Sequence, residues 1–470
     1  MPDAPPSSQI RSRIPSFSPC RLTGLRLVAT AACLLIALPG CSRRGEDAPG
    51  VVTITFWHSF VANTIPSLDT LIADIERTHP TLRVRAQYIP TGDGLIQKLV
   101  TSIRSNTAPD VSWIHADFLG QLVDAGALVP MREFINGPDS LPARDIADIF
   151  PPLIAAGSYR GEFFAMPMEA TSLALFYRKD LFRSAGLDPG HPPADWAELR
   201  SYAAKLTSPP DAEGRRERYG FFVPVFPASG ELNIWMNLQW TPFLWQAGGD
   251  EFSPDLTRCT FDSPAGVRAL GLWKSIYDDE DFGRFGIAHD LGFASGKLAM
   301  ILDGPWDLPR FRAMKGVDWA DAPLPAGPAG RATYLAGEQL AIFRQSAHPA
   351  EAWTFVKWVV GKEVQARFSE LSGYLPVRRS VLEMESYRNF LATDPALRTF
   401  VGQMDVGRGR QMVGSRRVEI NRFLAEAIER ALVGKGDPAE CLKASAERVN
   451  ALLREESEAR PRASADAGTR

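Results

Sequence analysis

The side chain with the clearest chemistry is a thiol. Cys41 follows Leu38-Pro39-Gly40 at the end of an apolar run, Leu27 to Leu38, and Arg21 and Arg26 precede that run. About a dozen apolar residues cannot cross a hydrocarbon core of ~30 Å, which takes roughly 20. The pattern is that of a lipoprotein signal peptide, residues 1–40, cut before Cys41, whose thiol would carry lipid; Pro39 departs from the small or β-branched residue usual there. Residues directly after strand-like runs form a second group: Trp57-His58-Ser59, Thr91-Gly92-Asp93 and His115-Ala116-Asp117. No GxSxG, HExxH or GxxxxGK[ST] occurs, and no CxxC pair or His cluster, so the sequence offers no poised nucleophile, no metal framework and no phosphate loop. No enzyme activity and no cofactor are expected.

These residues need elements to hold them. Residues 42–50, SRRGEDAPG, lack apolar periodicity, so 41–50 reads as a flexible linker. VVTITFW is β-branched and aromatic and predicts a buried strand; IPSLDTLIADIERTHP then has apolar positions at helical spacing and stops at His79-Pro80. Leu82 to Tyr88 is the next strand, LIQKLVTSIRS the next helix and DVSWI a third strand. Strand, helix, strand, helix, strand predicts a largely parallel sheet covered by helices, with ligands beyond the carboxyl ends of its strands. Further on, YRGEFF predicts a hairpin, KLAMIL a strand, and DWAELRSYAAKL, WTPFLWQAGG, AGVRALGLWKSIYDD, AEAWTFVKWVVG, FLAEAIERALVG and AECLKASAERVNALLREE amphipathic helices. Residues 457–470 read as a disordered tail.

Without residues 1–40 the basic count falls from 52 to 48 and the acidic count from 55 to 54, a net charge of −6. That disfavours nucleic-acid partners, which need basic surface to displace phosphate counterions. Cys259 and Cys441 remain, enough for one disulfide in an oxidising compartment. The 430 residues from Cys41 exceed the roughly 250–300 at which one core stops growing, so two lobes are expected.

The segments ITFWHSF, TAPDVSWIHADFLGQLVDAGALVPM, GEFFAMPM with LALFYRKDLFRSAGL, TPFLWQAGGD, SGKLAMILDGPW and LSGYLPVRRSV, in this order, resemble the extracellular solute-binding proteins of carbohydrate ABC importers, over nearly all of Val51 to Glu456. The resemblance implies an α/β, two-lobed periplasmic-binding-protein-like fold (type II) with the ligand cleft between the lobes. It places lobe 1 at 51–157 and 308–360, and lobe 2 at 158–307 and 361–456. It implies a monomer that takes a carbohydrate and delivers it to a membrane permease with separate ATPase subunits, here exported and anchored through its lipid, facing the periplasm or cell exterior.

A sugar presents hydroxyl groups and apolar C–H faces, so its site needs charged acceptors and flat rings. Asp117 stands where the maltose-binding branch also has Asp, with His115 two residues earlier, although a helix N-cap role is open to it as well. Trp306 matches a tryptophan that lies against sugar in that branch, and Gly304-Pro305 should place its ring in a loop. Tyr374 matches a ligand-contacting tyrosine of the glycerol-phosphate branch. Trp240 and Trp245 flank TPFLW, one of them facing core, and Trp240 is placed in the cleft. Glu169 and Thr171 lie in a hinge-proximal strand, and Gly337-Glu338 where backbone approaches ligand. Trp57, His58, Ser59 and Asp93 complete the candidates.

A second ligand class, glycerol 3-phosphate or a glycerophosphodiester, is kept open by HSF, GLDPGHPPADW and RGRQMVGSRR, which resemble the glycerol-phosphate branch, where an arginine holds the phosphate. The alignment favours Arg416 over Arg417 for that role; the other reading puts both, with Arg408 and Arg410, in a solvated loop. A sugar-binding sensor feeding a receptor is the rival role.

Overall fold

The computed structural model of the chain describes residues 50–230, 233–280 and 288–459. The signal peptide, Cys41, the linker up to residue 49 and residues 460–470 lie outside the described residues. The strands of the two main sheets are β1 (Val52–His58), β2 (Leu82–Tyr88), β3 (Val111–Ile114), β4 (Ala165–Pro167), β5 (Ala174–Arg178), β6 (Tyr219–Phe221), β7 (Leu298–Asp303), β8 (Trp319–Ala322) and β9 (Gln339–Ile342). The helices that matter for the site are α1 (Ile65–Thr78), α2 (Asp93–Arg104), α3 (Ala116–Asp124), α4 (Asn233–Gln246), α5 (Pro264–Glu280), α6 (Lys362–Ser372), α7 (Arg417–Leu432) and α8 (Pro438–Ala459).

The first sheet has five strands in the order β2-β1-β3-β9-β4. β1 pairs in parallel with β2 and β3, as the βαβαβ pattern predicts, and β9 runs antiparallel to both β3 and β4. The second sheet has four, β8-β5-β7-β6, with β5 antiparallel to β7 and β8. Local signals set several boundaries. α1 stops at His79, before Pro80, and the helix Trp196–Leu206 starts where the Asp195 carboxylate accepts from the amides of Ala197 and Glu198. α4, α5, α7 and α8 pack on one another beside the second sheet, and α7 also meets α3.

The lobe boundaries implied by the resemblance need correction. β4, within 158–167, pairs in the first sheet, and β8, within 308–322, pairs in the second. α6 packs on α1 of the first sheet, where Ser67 Oγ bonds the Leu371 carbonyl and Gln365 bonds the Met168 carbonyl. Strand pairing joins residues far apart in sequence, so no local pattern fixes where the chain changes sheets. The last helix runs to Ala459, beyond the expected start of the tail. Cys259 and Cys441 are separate, buried free thiols. Among the described residues no helix is long and apolar enough to cross a membrane.

Candidate ligand-binding site

The ends of β3 and β9, the start of α3 and the wall of α4 converge on one small cavity. It is lined by His115, Asp117, Glu338, Tyr334, Arg410 and Leu238 among others, and its volume is about 20 Å³, room for one water. Pro242, one turn on in α4, has no N–H to give the Leu238 carbonyl. Beside this cavity, between α3 and the start of α7, opens a groove of about 700 Å³ whose walls include Gln121, Asp124, Asn233, Arg416 and Arg422.

Asp117 is in the first turn of α3, not at its N-cap, which is His115, so the capping alternative does not hold. Its carboxylate instead joins a buried ionic cluster. Oδ1 accepts from Arg417 Nε at 3.3 Å, while Oδ2 accepts from Arg410 Nη1 at 3.2 Å and Asn421 Nδ2 at 2.9 Å. Glu251 completes the cluster, accepting from Arg410 Nη2 at 2.7 Å and Nε at 3.1 Å and from Arg417 Nη2 at 2.7 Å. Burial opposes ionisation of Asp117 and Glu251, but Arg410 and Arg417 outweigh it and hold both carboxyls below their usual range. Two cations and two anions thus cancel inside the protein, and Arg417 Nη1 is left with no hydrogen-bond partner among the described residues. Arg410 and Arg417 are buried, which overturns the solvated-loop reading for these two. Arg416 turns away from the cluster, to Glu419 and Glu455, both at 2.7 Å, and lines the outer groove.

On the other wall, His115 Nε2 lies 2.8 Å from Thr91 Oγ1 and its Nδ1 lies 3.3 Å from Glu338 Oε1. Glu338 N donates to Oε1 of the fully buried Glu169 at 3.3 Å, which sets the two residues side by side. Burial, then the neighbouring Glu338, pushes Glu169 well above the carboxylate range; Glu338 is held below it because the hydrogen bonds from Glu169 and His115 outweigh its own burial. Gly337 permits the close approach, since a Cβ there would stand 1.7 Å from the Glu169 carbonyl oxygen. Tyr374 packs behind, stacked on Phe368 at 6.0 Å and edge-on to Phe60 at 5.7 Å.

Trp306 belongs to a separate group after β7. It follows Gly304, where a Cβ would fall 2.0 Å from the indole ring, and it sits in a short turn, edge-on to Trp235 at 5.1 Å. Beside it, His289 Nε2 lies 3.1 Å from Asp303 Oδ2, and Asn63 Nδ2 donates to Asp307 Oδ1 at 3.2 Å. Asp307 is pushed up to about 7, first by burial and then by the Asp303 charge. Donor atoms of His289, Asp303 and Asp307 lie within 4.8 Å of one another, the one such group among the described residues that could hold a metal ion. Sequence reasoning missed it, because its members carry no motif spacing.

The other candidates fall elsewhere. Trp240 is fully buried inside α4, nearly all of whose residues are buried, so its placing in the cleft is corrected to core; Trp245 is also buried, its Nε1 bonding Asp250 at 3.0 Å. Trp57, His58 and Ser59 are buried at the end of β1 and just after it. His58 stands among Phe56, Phe60 and Tyr88, and burial lowers its imidazole to about 4. Thr171 is buried and bonds Ala336 through its backbone. Asp93 opens α2.

The family described as bacterial extracellular solute-binding protein matches residues 70–399. A protein of Brucella abortus (strain 2308) named as a binding protein is 28% identical over 404 residues, 84% of this chain and 92% of its own length. The sn-glycerol-3-phosphate-binding periplasmic protein UgpB of Escherichia coli (strain K12) is 23% identical over 92% of this chain and 98% of its own. Among solved structures, the cyclic alpha-maltosyl-1,6-maltose binding protein from Arthrobacter globiformis superposes with a TM-score of 0.73, at 26% identity, covering 86% of this chain and 100% of that one. Both lines of comparison point to proteins that bind a solute.

Proposed function

Since the chain belongs to the bacterial extracellular solute-binding protein family and has its two-lobed fold, we propose that it is the capture subunit of an ABC importer, lipid-anchored through Cys41, and that its ligand is a neutral sugar or oligosaccharide. The observation that carries the ligand class is the charge balance of the cavity. Arg410 and Arg417 are each already matched by Asp117 and Glu251, while Glu169 and Glu338 add acidic groups nearby. A phosphate would meet carboxylates, and at the cavity wall only Arg410, whose guanidinium is already paired with Asp117 and Glu251; a hydroxyl group finds acceptors on Glu338 and Asp117. Trp306 and Trp235 offer the flat surface for C–H faces. The two sheets serve as the cores of lobes that close on the ligand.

A glycerol phosphate is the second reading. It is favoured by the likeness to UgpB and by Arg416 and Arg422 in the outer groove. A thermal-shift screen separates them: a ligand at a hundred times its Kd stabilises by about 2.7 kcal/mol. Shifts with maltooligosaccharides and none with glycerol 3-phosphate or glycerophosphocholine support the first reading, and the reverse pattern, abolished by Arg416→Ala, supports the second.

A further inference from the structure

We propose that Glu169 is a positioning residue for ligand capture: as a protonated acid it donates a hydrogen bond to Glu338, fixing Glu338 as the ionised acceptor that faces the cavity, so that binding depends on one buried proton. The proposal rests on the reading of this cavity as a solute site.

The backbone forces the two carboxyls together. Met168 N donates to the Glu338 carbonyl at 2.9 Å, and Glu338 N donates back to Glu169 Oε1 at 3.3 Å. With only hydrogen at Cα, Gly337 lets the strand ends close to a distance that no other residue allows. Two carboxyl groups in hydrogen-bond contact cannot both be ionised without facing oxygen lone pairs, so one proton is shared.

The surroundings decide which residue keeps it. Glu169 is fully buried, its Oε1 accepts from Glu338 N, and its Oε2 receives no hydrogen bond from any described N–H, the Trp113 indole included, which leaves Oε2 to carry the proton offered to Glu338. An ionised Glu169 would therefore be a buried, uncompensated charge. Glu338 reaches the cavity and has His115 at 3.3 Å, itself held by Thr91. The remaining titratable groups facing the pair are Tyr374 behind it, Tyr334 in the cavity wall, whose phenol is pushed up and kept neutral by burial and the nearby carboxylates, and Asp117 with Arg410 across the cavity, which neutralise each other. The directions in which burial and neighbours move the two carboxyls agree with this assignment.

Loss of the Glu169 proton in alkaline solution would set two carboxylates against each other and turn Glu338 from its acceptor position. Protonation of Glu338 in acid would remove the acceptor. Affinity should therefore fall at both ends of the pH range, with Glu169 responsible for the alkaline fall.

Calorimetric titration of the mature protein with maltotriose across the pH range tests this, comparing wild type with Glu169→Gln and Glu169→Ala. The amide of Gln donates to Glu338 and has no proton to lose, so Glu169→Gln should bind within about threefold of wild type at neutral pH and show no alkaline fall. Glu169→Ala should bind about tenfold more weakly, the scale of one hydrogen bond to a charged group. A merely structural role would lower the melting temperature and leave the pH profile parallel to wild type. An alkaline fall that persists in Glu169→Gln, or undiminished affinity in Glu169→Ala, overturns the proposal. A ligand-free measurement separates it from the sugar reading: the infrared difference between wild type and Glu169→Gln at neutral pH should show the C=O stretch of one protonated carboxylic acid. Absence of that band overturns the proposal whatever maltotriose does, whereas the band without maltotriose binding upholds the proton and counts against the choice of ligand.

Discussion

Glu251→Gln removes one of the two carboxylates that balance Arg410 and Arg417. Glu251 and Arg417 are each 1% exposed, and Glu251 accepts three guanidinium hydrogen bonds, of 2.7, 2.7 and 3.1 Å. The amide keeps the shape and one acceptor oxygen but leaves two guanidiniums facing Asp117 alone. Breaking a buried pair so that a charge is stranded costs about 3–5 kcal/mol. Counting bonds gives the same scale: with roughly half of three charge-assisted bonds lost, at about 1.5–3 kcal/mol each, the cost is about 2–4 kcal/mol. For a folded part of roughly 400 residues, unfolding entropy near 2.1 cal/mol/K per residue converts 4 kcal/mol into a fall in Tm of about 5 °C. Scanning calorimetry at pH 7 reads it directly. The double variant Glu251→Gln, Arg417→Met removes the stranded cation together with its partner and should recover at least half of that loss. A single variant within about 1 °C of wild type, or a double variant as destabilised as the two singles added, would refute the view of the cluster as one mutually neutralising unit.

Asp117→Asn should weaken sugar binding about tenfold, the scale of one charge-assisted hydrogen bond, and destabilise less than Glu251→Gln because its guanidinium contacts are longer, at 3.2 and 3.3 Å; titration calorimetry beside a melt separates the two effects. Trp306→Ala should remove most of a ligand-induced change in intrinsic fluorescence, and wild-type affinity in that variant would assign the ring to packing alone. Cys41→Ser should move the protein from the detergent phase to the aqueous phase of a Triton X-114 partition; wild type found wholly in the aqueous phase with no added mass would rule out lipidation. Burial raises Asp321 in β8 to about 8. Its folded form therefore holds a proton that the unfolded chain releases near pH 4, so stability from this group is complete below that pH and drains away as pH rises to about 8, at up to about 1.4 kcal/mol per unit. Asp321→Asn should flatten that slope in urea unfolding series, and an unchanged slope would exclude Asp321 as its source.

What the sequence determined by itself lies within reach of local interactions. β1, β2 and β3 and the helices between them follow from runs of about ten residues whose apolar spacing matches 2 or 3.6, and Pro80 and Asp195 mark helix ends through one missing N–H and one capping carboxylate. The order of six family segments carried the fold and the broad role, because each segment records a turn or strand end in its own residues. Tertiary structure alone decided the polar interior. Arg410 and Arg417 meet Asp117 across 293 and 300 positions of sequence, and Glu169 meets Glu338 across 169. An arginine in a glycine-flanked stretch reads as solvated until a carboxylate far along the chain is folded onto it, since only the pair makes burial of the charge tolerable. Trp240 shows the converse: in α4 apolar residues and buried polar ones such as Asn237, Gln239 and Thr241 are spread around the helix, so its sequence marks no core face, and only packing against α5 and α7 put the ring in the core.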